Sequence, residues 1–141
     1  MNKLAPMVCA LLCLIVCGCG GGGGSNSPSV TPTTTNDFAG TWNGDWTDST
    51  LDQKGSLHLF IDASGNVSGS SYNSTLKVTA TVVGTISSQG TITATYTYPD
   101  ALYTTSGTVA INDLGHMTGK LPGCLNGVQI GTTTLDLVHS P

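Results

Sequence analysis

The chain has no glutamate and no arginine. Eight aspartates and four lysines carry all of its side-chain charge, only 9% of 141 residues, for a formal net charge of −4. Arginine is the side chain best shaped for bidentate phosphate contacts. Its absence, with a negative balance, argues against a nucleic-acid partner. Glutamate and arginine are also common fillers of helix surfaces. Threonine and serine abound instead, and Thr and Val suit strands. A disulfide framework is missing too. Cys9, Cys13, Cys17 and Cys19 fall in the first 19 residues, and Cys124 stands alone in the body of the chain. Composition and length point to one all-β domain.

The N-terminus reads as an address. Met1, Asn2 and Lys3 form a short positive region, and residues 4–16 are an apolar run of signal-peptide length. That run is short of the roughly 20 apolar residues that a membrane-spanning helix needs. Val16-Cys17-Gly18-Cys19 follows. This resembles the lipobox of bacterial lipoproteins, in which an aliphatic residue, a variable one and a small one precede the cysteine that receives lipid. The resemblance implies a signal peptide over 1–18, cleavage after Gly18, and a diacylglyceryl and N-acyl (palmitate-type) anchor on Cys19. Gly20 at the next position implies an outer-membrane destination, since Asp there is the commoner retention signal. Residues 19–37 then read as the lipidated cysteine and a Gly/Ser/Thr/Pro tether with almost nothing apolar to bury. As a flexible coil its ends would stand roughly 20–25 Å apart. The folded domain is expected over 38–141.

Within that domain Gly40, Gly65, Gly90 and Gly115 recur at intervals of 25 residues. An apolar residue stands two after each glycine (Trp42, Val67, Ile92, Met117). An isoleucine stands four before each of the later three (Ile61, Ile86, Ile111). Each glycine with its polar neighbours reads as a hairpin turn that needs a positive φ. The flanks alternate as half-buried strands should. Four two-strand units predict eight strands, at 41–47, 55–62, 66–72, 76–86, 91–98, 103–111, 116–121 and 132–139. An even antiparallel meander of this kind closes into an up-and-down barrel by pairing its last strand with its first; a β-sandwich is the alternative. In the last unit Asp136 falls where the frame expects isoleucine, with Leu135 and Leu137 on either side. That strand therefore needs a bulge or a one-residue slip.

Gly40-Thr41-Trp42 resembles the Gly-x-Trp that opens the first strand of lipocalins and the Gly-Thr-Trp of avidins. The resemblance implies a calycin-like barrel with Trp42 plugging one end. No tryptophan follows Trp46, whereas avidin-type biotin pockets take several from later strands. Lipocalins often cap the plug with an arginine, which this chain lacks. Biotin is therefore not the expected ligand.

All the glycine turns fall at one end of such a barrel, and the tether enters there at Gly40. The opposite connections, at 48–54, 73–75, 99–102 and 122–131, are longer and more varied, as binding loops tend to be. By alternation Trp46, Tyr98 and Tyr103 point inward at that far rim, and Tyr72 points outward. Amphipathic aromatics at a barrel mouth suit a small ligand with apolar faces; otherwise they simply fill the end of the core.

Other constellations carry less. Asp62-x-Ser64-x-Asn66 lacks the glycine and glutamate that an EF-hand needs at its sixth and twelfth positions, and reads as a turn. Asp45, Asp48 and Asp52 read as a solvated acidic loop. His58, His116 and His139 share no metal-ligand spacing, so neither a metal nor a cofactor is expected. Cys124 reads as a quiet thiol in a monomer rather than a dimer link. Several predicted strands are shorter than the roughly 9–11 residues of a membrane-spanning β-strand. The expectation is a non-enzymatic, lipid-anchored protein of the bacterial envelope that binds a small ligand or a partner at the loop end. The alternative is a structural lipoprotein with a solid core that contacts envelope proteins or polysaccharide.

Overall fold

A computed structural model describes residues 35–141. The residues read as a signal peptide, Cys19 and nearly all of the residues read as a tether lie outside the described residues. Eight strands follow one another: β1 (Gly40–Asp48), β2 (Gln53–Ile61), β3 (Asn66–Asn73), β4 (Val78–Ile86), β5 (Thr91–Thr97), β6 (Leu102–Ile111), β7 (His116–Leu125) and β8 (Val128–Ser140). Each pairs antiparallel with the next, and β1 also pairs with β8, so the sheet closes into a barrel rather than a sandwich.

The repeat is visible in the three glycine turns. Asp62, Ser87 and Asn112 each accept from the glycine N–H three residues on, at 2.9 Å, and donate to the carbonyl of the residue after it. Gly65, Gly90 and Gly115 sit at φ of 85°, 81° and 77°. This is a type I turn closed by a glycine bulge, one of the favoured short hairpins. The side chain at the first position reinforces it. Asp62 Oδ1 accepts from the backbone N–H of Ser64 and Asn66, Asn112 Oδ1 does the same for Leu114 and His116, and Ser87 Oγ accepts from Thr91. The Asn66 side-chain amide on Oδ2, then the backbone bonds, hold the Asp62 carboxyl below its ordinary pKa.

Departures from the strict repeat have local causes. The β5–β6 hairpin is slipped by two residues. Val109 rather than Ile111 therefore donates to the Gly90 carbonyl, as Ile86 does to Gly65. Two residues preserve the alternation, but they move Ile111 to the rim, where it is 38% exposed and not part of the core. In β8 the required bulge is present. Gly123 faces Gly131 and Cys124 faces Gln129, which leaves Ile130 as an extra residue. That single insertion reverses the phase of everything after it. Leu135 and Leu137 point into the core, Leu137 opposite Met117, and Asp136 points outward to meet His116 Nδ1 at 2.8 Å.

The expected loop at 122–131 is a correction. Residues on both sides are strand, joined at Asn126 and Gly127, whose φ values of 49° and 84° are those of a two-residue hairpin. Pro122 has no N–H to donate. It lies where the β6–β7 ladder is interrupted, and its carbonyl accepts from the buried Thr105 hydroxyl at 2.9 Å. The turn after β3 also runs further than expected, to Lys77 with φ of 60°, so β4 begins at Val78 and Leu76 is exposed.

The glycine-turn end is closed. Asn36 is buried and donates its side-chain amide to the Ile86 carbonyl, and its Oδ1 accepts from Phe38 N–H. Phe38 lies beneath Gly90. Trp42 Nε1 donates to the Phe38 carbonyl at 2.8 Å, and the indole meets His139 edge-on at 5.0 Å. The folded cap thus takes in Asn36 and Asp37, the last residues of the span read as tether. Gly40 is required here because a Cβ would fall on the His139 ring.

Aliphatic side chains fill the interior, while the outer faces carry rows of hydroxyls, as along Thr91, Thr93 and Thr95 of β5. A lipid-facing barrel needs an apolar outer band. Polarity, rather than strand length, is what opposes a membrane-spanning barrel, since β6 to β8 run to 10–13 residues.

Candidate functional site

The repeat stacks the inward side chains of the odd strands in rings, one residue from each 25-residue unit. Trp42, Val67, Ile92 and Met117 form the apolar ring at the closed end, all buried. The next ring is small: Gly44, Gly69, Ala94 and Gly119. Above it come Trp46, Ser71, Tyr96 and Leu121, and at the far rim Asp48, Asn73, Tyr98 and Gly123. The upper two rings differ in chemistry from the lower two. They hold three aromatics, a carboxylate, an amide and a hydroxyl.

A cavity of about 290 Å³ opens at this end. Trp46, Ser71 and Tyr96 line its depth; Asp48, Asn73, Tyr98 and Tyr103 line its wall, with Leu76 and Pro99 toward the outside. The three aromatics expected at the rim, Trp46, Tyr98 and Tyr103, are therefore brought together, and Tyr72 is outside and exposed. Tyr103 meets Tyr96 edge-on at 5.7 Å and shares a hydrogen bond of 3.0 Å with the Thr133 hydroxyl. A Cβ on Gly123 would fall on the Tyr103 ring and hydroxyl, and one on Gly131 would fall on the Asp48 carboxylate. Two glycines of the β7–β8 hairpin thus make room for side chains of the site.

Burial pushes the Tyr96 hydroxyl well above the ordinary tyrosine range, with Tyr103 and Tyr98 adding to the shift. Burial also raises Tyr98 and Tyr103. The Thr133 hydroxyl offsets part of the rise at Tyr103, while Asp48 adds to it. The Ser71 hydroxyl similarly offsets part of the rise at Tyr98, although Ser71 Oγ lacks a hydrogen bond of ordinary geometry. The site thus holds its phenols protonated, as donors.

Asp48 is a correction to the solvated acidic loop. Asp45 and Asp52 are exposed, but Asp48 is only 3% exposed. Its Oδ1 accepts from the N–H groups of Thr50 and Leu51, at 2.9 and 3.1 Å, and so shapes the β1–β2 turn. Asn73, its equivalent one unit later, caps the β3–β4 turn by the same bonds and donates to Gln53. Asp48 Oδ2 has no partner. Among the described residues, the buried side-chain polar atoms without a hydrogen bond are Trp46 Nε1, Asp48 Oδ2 and Ser71 Oγ, and all three belong to residues that line this cavity. Buried polar groups are nearly always bonded, so three exceptions on residues that line one cavity set this end of the barrel apart from the rest of the core. Tyr96, Asp48, Ser71 and Asn73 escaped the sequence reading as site residues. The signal was present in the 25-residue repeat, continued past each turn to the far rim.

Among the described residues, no group of three or more His, Cys, Asp or Glu is placed to hold a metal ion. Cys124 is half-buried and its thiol is free. Compared with protein-family models, curated proteins and solved structures, the chain matches none.

Proposed function

We propose that this is a lipid-anchored protein of the bacterial envelope whose barrel binds a small ligand at its open end and performs no chemistry on it. The observation that carries the reading is the contrast between the two ends. One is closed by Phe38 and Trp42; the other holds an aromatic cavity whose lining residues include three with an unpartnered polar atom. Small-molecule sites are of this kind, largely preformed and apolar with a few polar groups that fix orientation. The anchor follows from the lipobox-like Val16-Cys17-Gly18-Cys19. The described chain enters the barrel at the closed end, opposite the mouth. The calycin-like resemblance of Gly40-Thr41-Trp42 agrees with a ligand-holding barrel.

Native mass spectrometry of the tagged full-length chain, extracted from envelopes in mild detergent, tests the binding. A small molecule should co-purify with the wild type and be lost from Trp46→Ala. If nothing co-purifies and Trp46→Ala changes only stability, the cavity is a packing defect of the core and the binding reading fails.

A further inference from the structure

Resting on that reading of the site, we propose that the ligand is a small organic monocation, an ammonium or amidinium carried on an apolar or aromatic body, seated with its charge beside the Asp48 carboxylate. Asp48 is buried, lines the cavity, and has one oxygen committed to the β1–β2 turn and the other without a partner. A carboxylate taken out of water needs a donor or a counter-charge. Backbone N–H groups of Thr50 and Leu51 serve Oδ1 alone, and among the described residues no lysine or histidine lines the cavity; the second charged group there, Asp100 at the rim, is also an acid.

The aromatic faces of the lining agree in sign. The faces of Trp46, Tyr96, Tyr98 and Tyr103 carry negative quadrupole charge, which attracts cations. An anionic ligand would meet Asp48 with no compensating cation. A bare metal ion would find a single buried carboxylate and no cluster of ligands among the described residues. Size narrows the class further. About 290 Å³ equals the liquid volume of about ten waters, so the ligand has on the order of ten to fifteen non-hydrogen atoms, about one ring and a short amine-bearing chain.

The test uses the full-length chain in detergent and isothermal titration with one-ring compounds matched in three charge forms. Benzylamine, phenethylamine and cyclohexylmethylamine are set against the corresponding alcohols and carboxylates. The amines should bind about tenfold or more tightly than the alcohols, and the carboxylates not at all. Asp48→Asn keeps the Oδ1 acceptor that shapes the turn, so it should bring the amines down to the level of the alcohols while leaving the alcohols unchanged. Should Asp48→Asn fail to fold, Gly131→Ala, which sets a methyl group against the carboxylate, should weaken the amines selectively. Alcohols or carboxylates binding as well as amines, or amines binding undiminished to Asp48→Asn, would overturn the charge assignment and leave the ligand-binding reading standing. Failure of all three charge forms to bind would overturn both.

Discussion

Substituting Gly123 by alanine offers a sharp test of how the cavity wall is built. Gly123 is buried and is not among the glycines with positive φ, so its backbone suits alanine. The obstacle is the Tyr103 side chain, which occupies the space a Cβ would take. Alanine should therefore push Tyr103 aside. Two interactions are lost with it: the hydrogen bond to Thr133, worth about 1 kcal/mol, and the edge-on contact with Tyr96, worth about 1 kcal/mol more. The expected loss is about 2 kcal/mol, a fall in Tm of roughly 10 °C for a domain of this size. In a Tyr103→Ala background the obstacle is gone. The same substitution should then be neutral or stabilising by about 0.5 kcal/mol, because alanine restricts the unfolded chain more than glycine does. Chemical denaturation of the four proteins in this cycle measures the coupling directly. An equal cost in both backgrounds would refute the reasoning and place the constraint in the sheet backbone.

At the closed end, Trp42→Phe removes the bond to the Phe38 carbonyl and leaves a small void. It should cost about 2 kcal/mol in denaturation without altering whatever binds at the mouth; altered binding would show that the two ends are coupled. Alkaline unfolding should report the buried phenols. Tyr96 keeps its proton to higher pH in the folded than in the unfolded state, so its stabilising contribution is complete below about pH 10 and declines above it, by at most about 1.4 kcal/mol per pH unit. Urea midpoints followed above pH 10 should fall in the wild type and fall less steeply in Tyr96→Phe. Cys19→Ser should abolish metabolic labelling with a fatty acid and release the protein from the membrane fraction; persistent labelling would assign the anchor elsewhere.

Much of the barrel was legible in the sequence because its determinants are local and repeated. Glycine at 65, 90 and 115 with Asp62, Ser87 and Asn112 before it specifies the same turn three times, and alternation carries the phase along each strand. Even the bulge was legible as a necessity, from Asp136 between two leucines, though its place at Ile130 was not. The failures lie where a residue serves two purposes. Asp48 looked like a loop acid because it ends a strand, yet the period that puts Trp42 and Trp46 inside also puts Asp48 inside. Ile111 fits the repeat perfectly and is exposed, because the β5–β6 turn at 98–101 falls one residue earlier than the period counted from the β3–β4 turn at 74–77, which slips the pairing by two. Pro122 looked like a loop signal, whereas Asn126 and Gly127 held the turn.

The closure of the sheet has a kinetic consequence. Seven of the eight strand pairings join neighbours in sequence, but the pairing that sets Thr41 opposite Ser140 joins the two ends of the domain. Loop-closure entropy opposes that contact more than any hairpin. Until it forms, β1 and β8 are open edges able to pair with another chain. The final seam, fastened by Trp42 on His139 and by Asn43 on Ser140, is therefore the interval in which this protein is most exposed to misassembly. A low local concentration of the chain during that interval guards the barrel at its most vulnerable step.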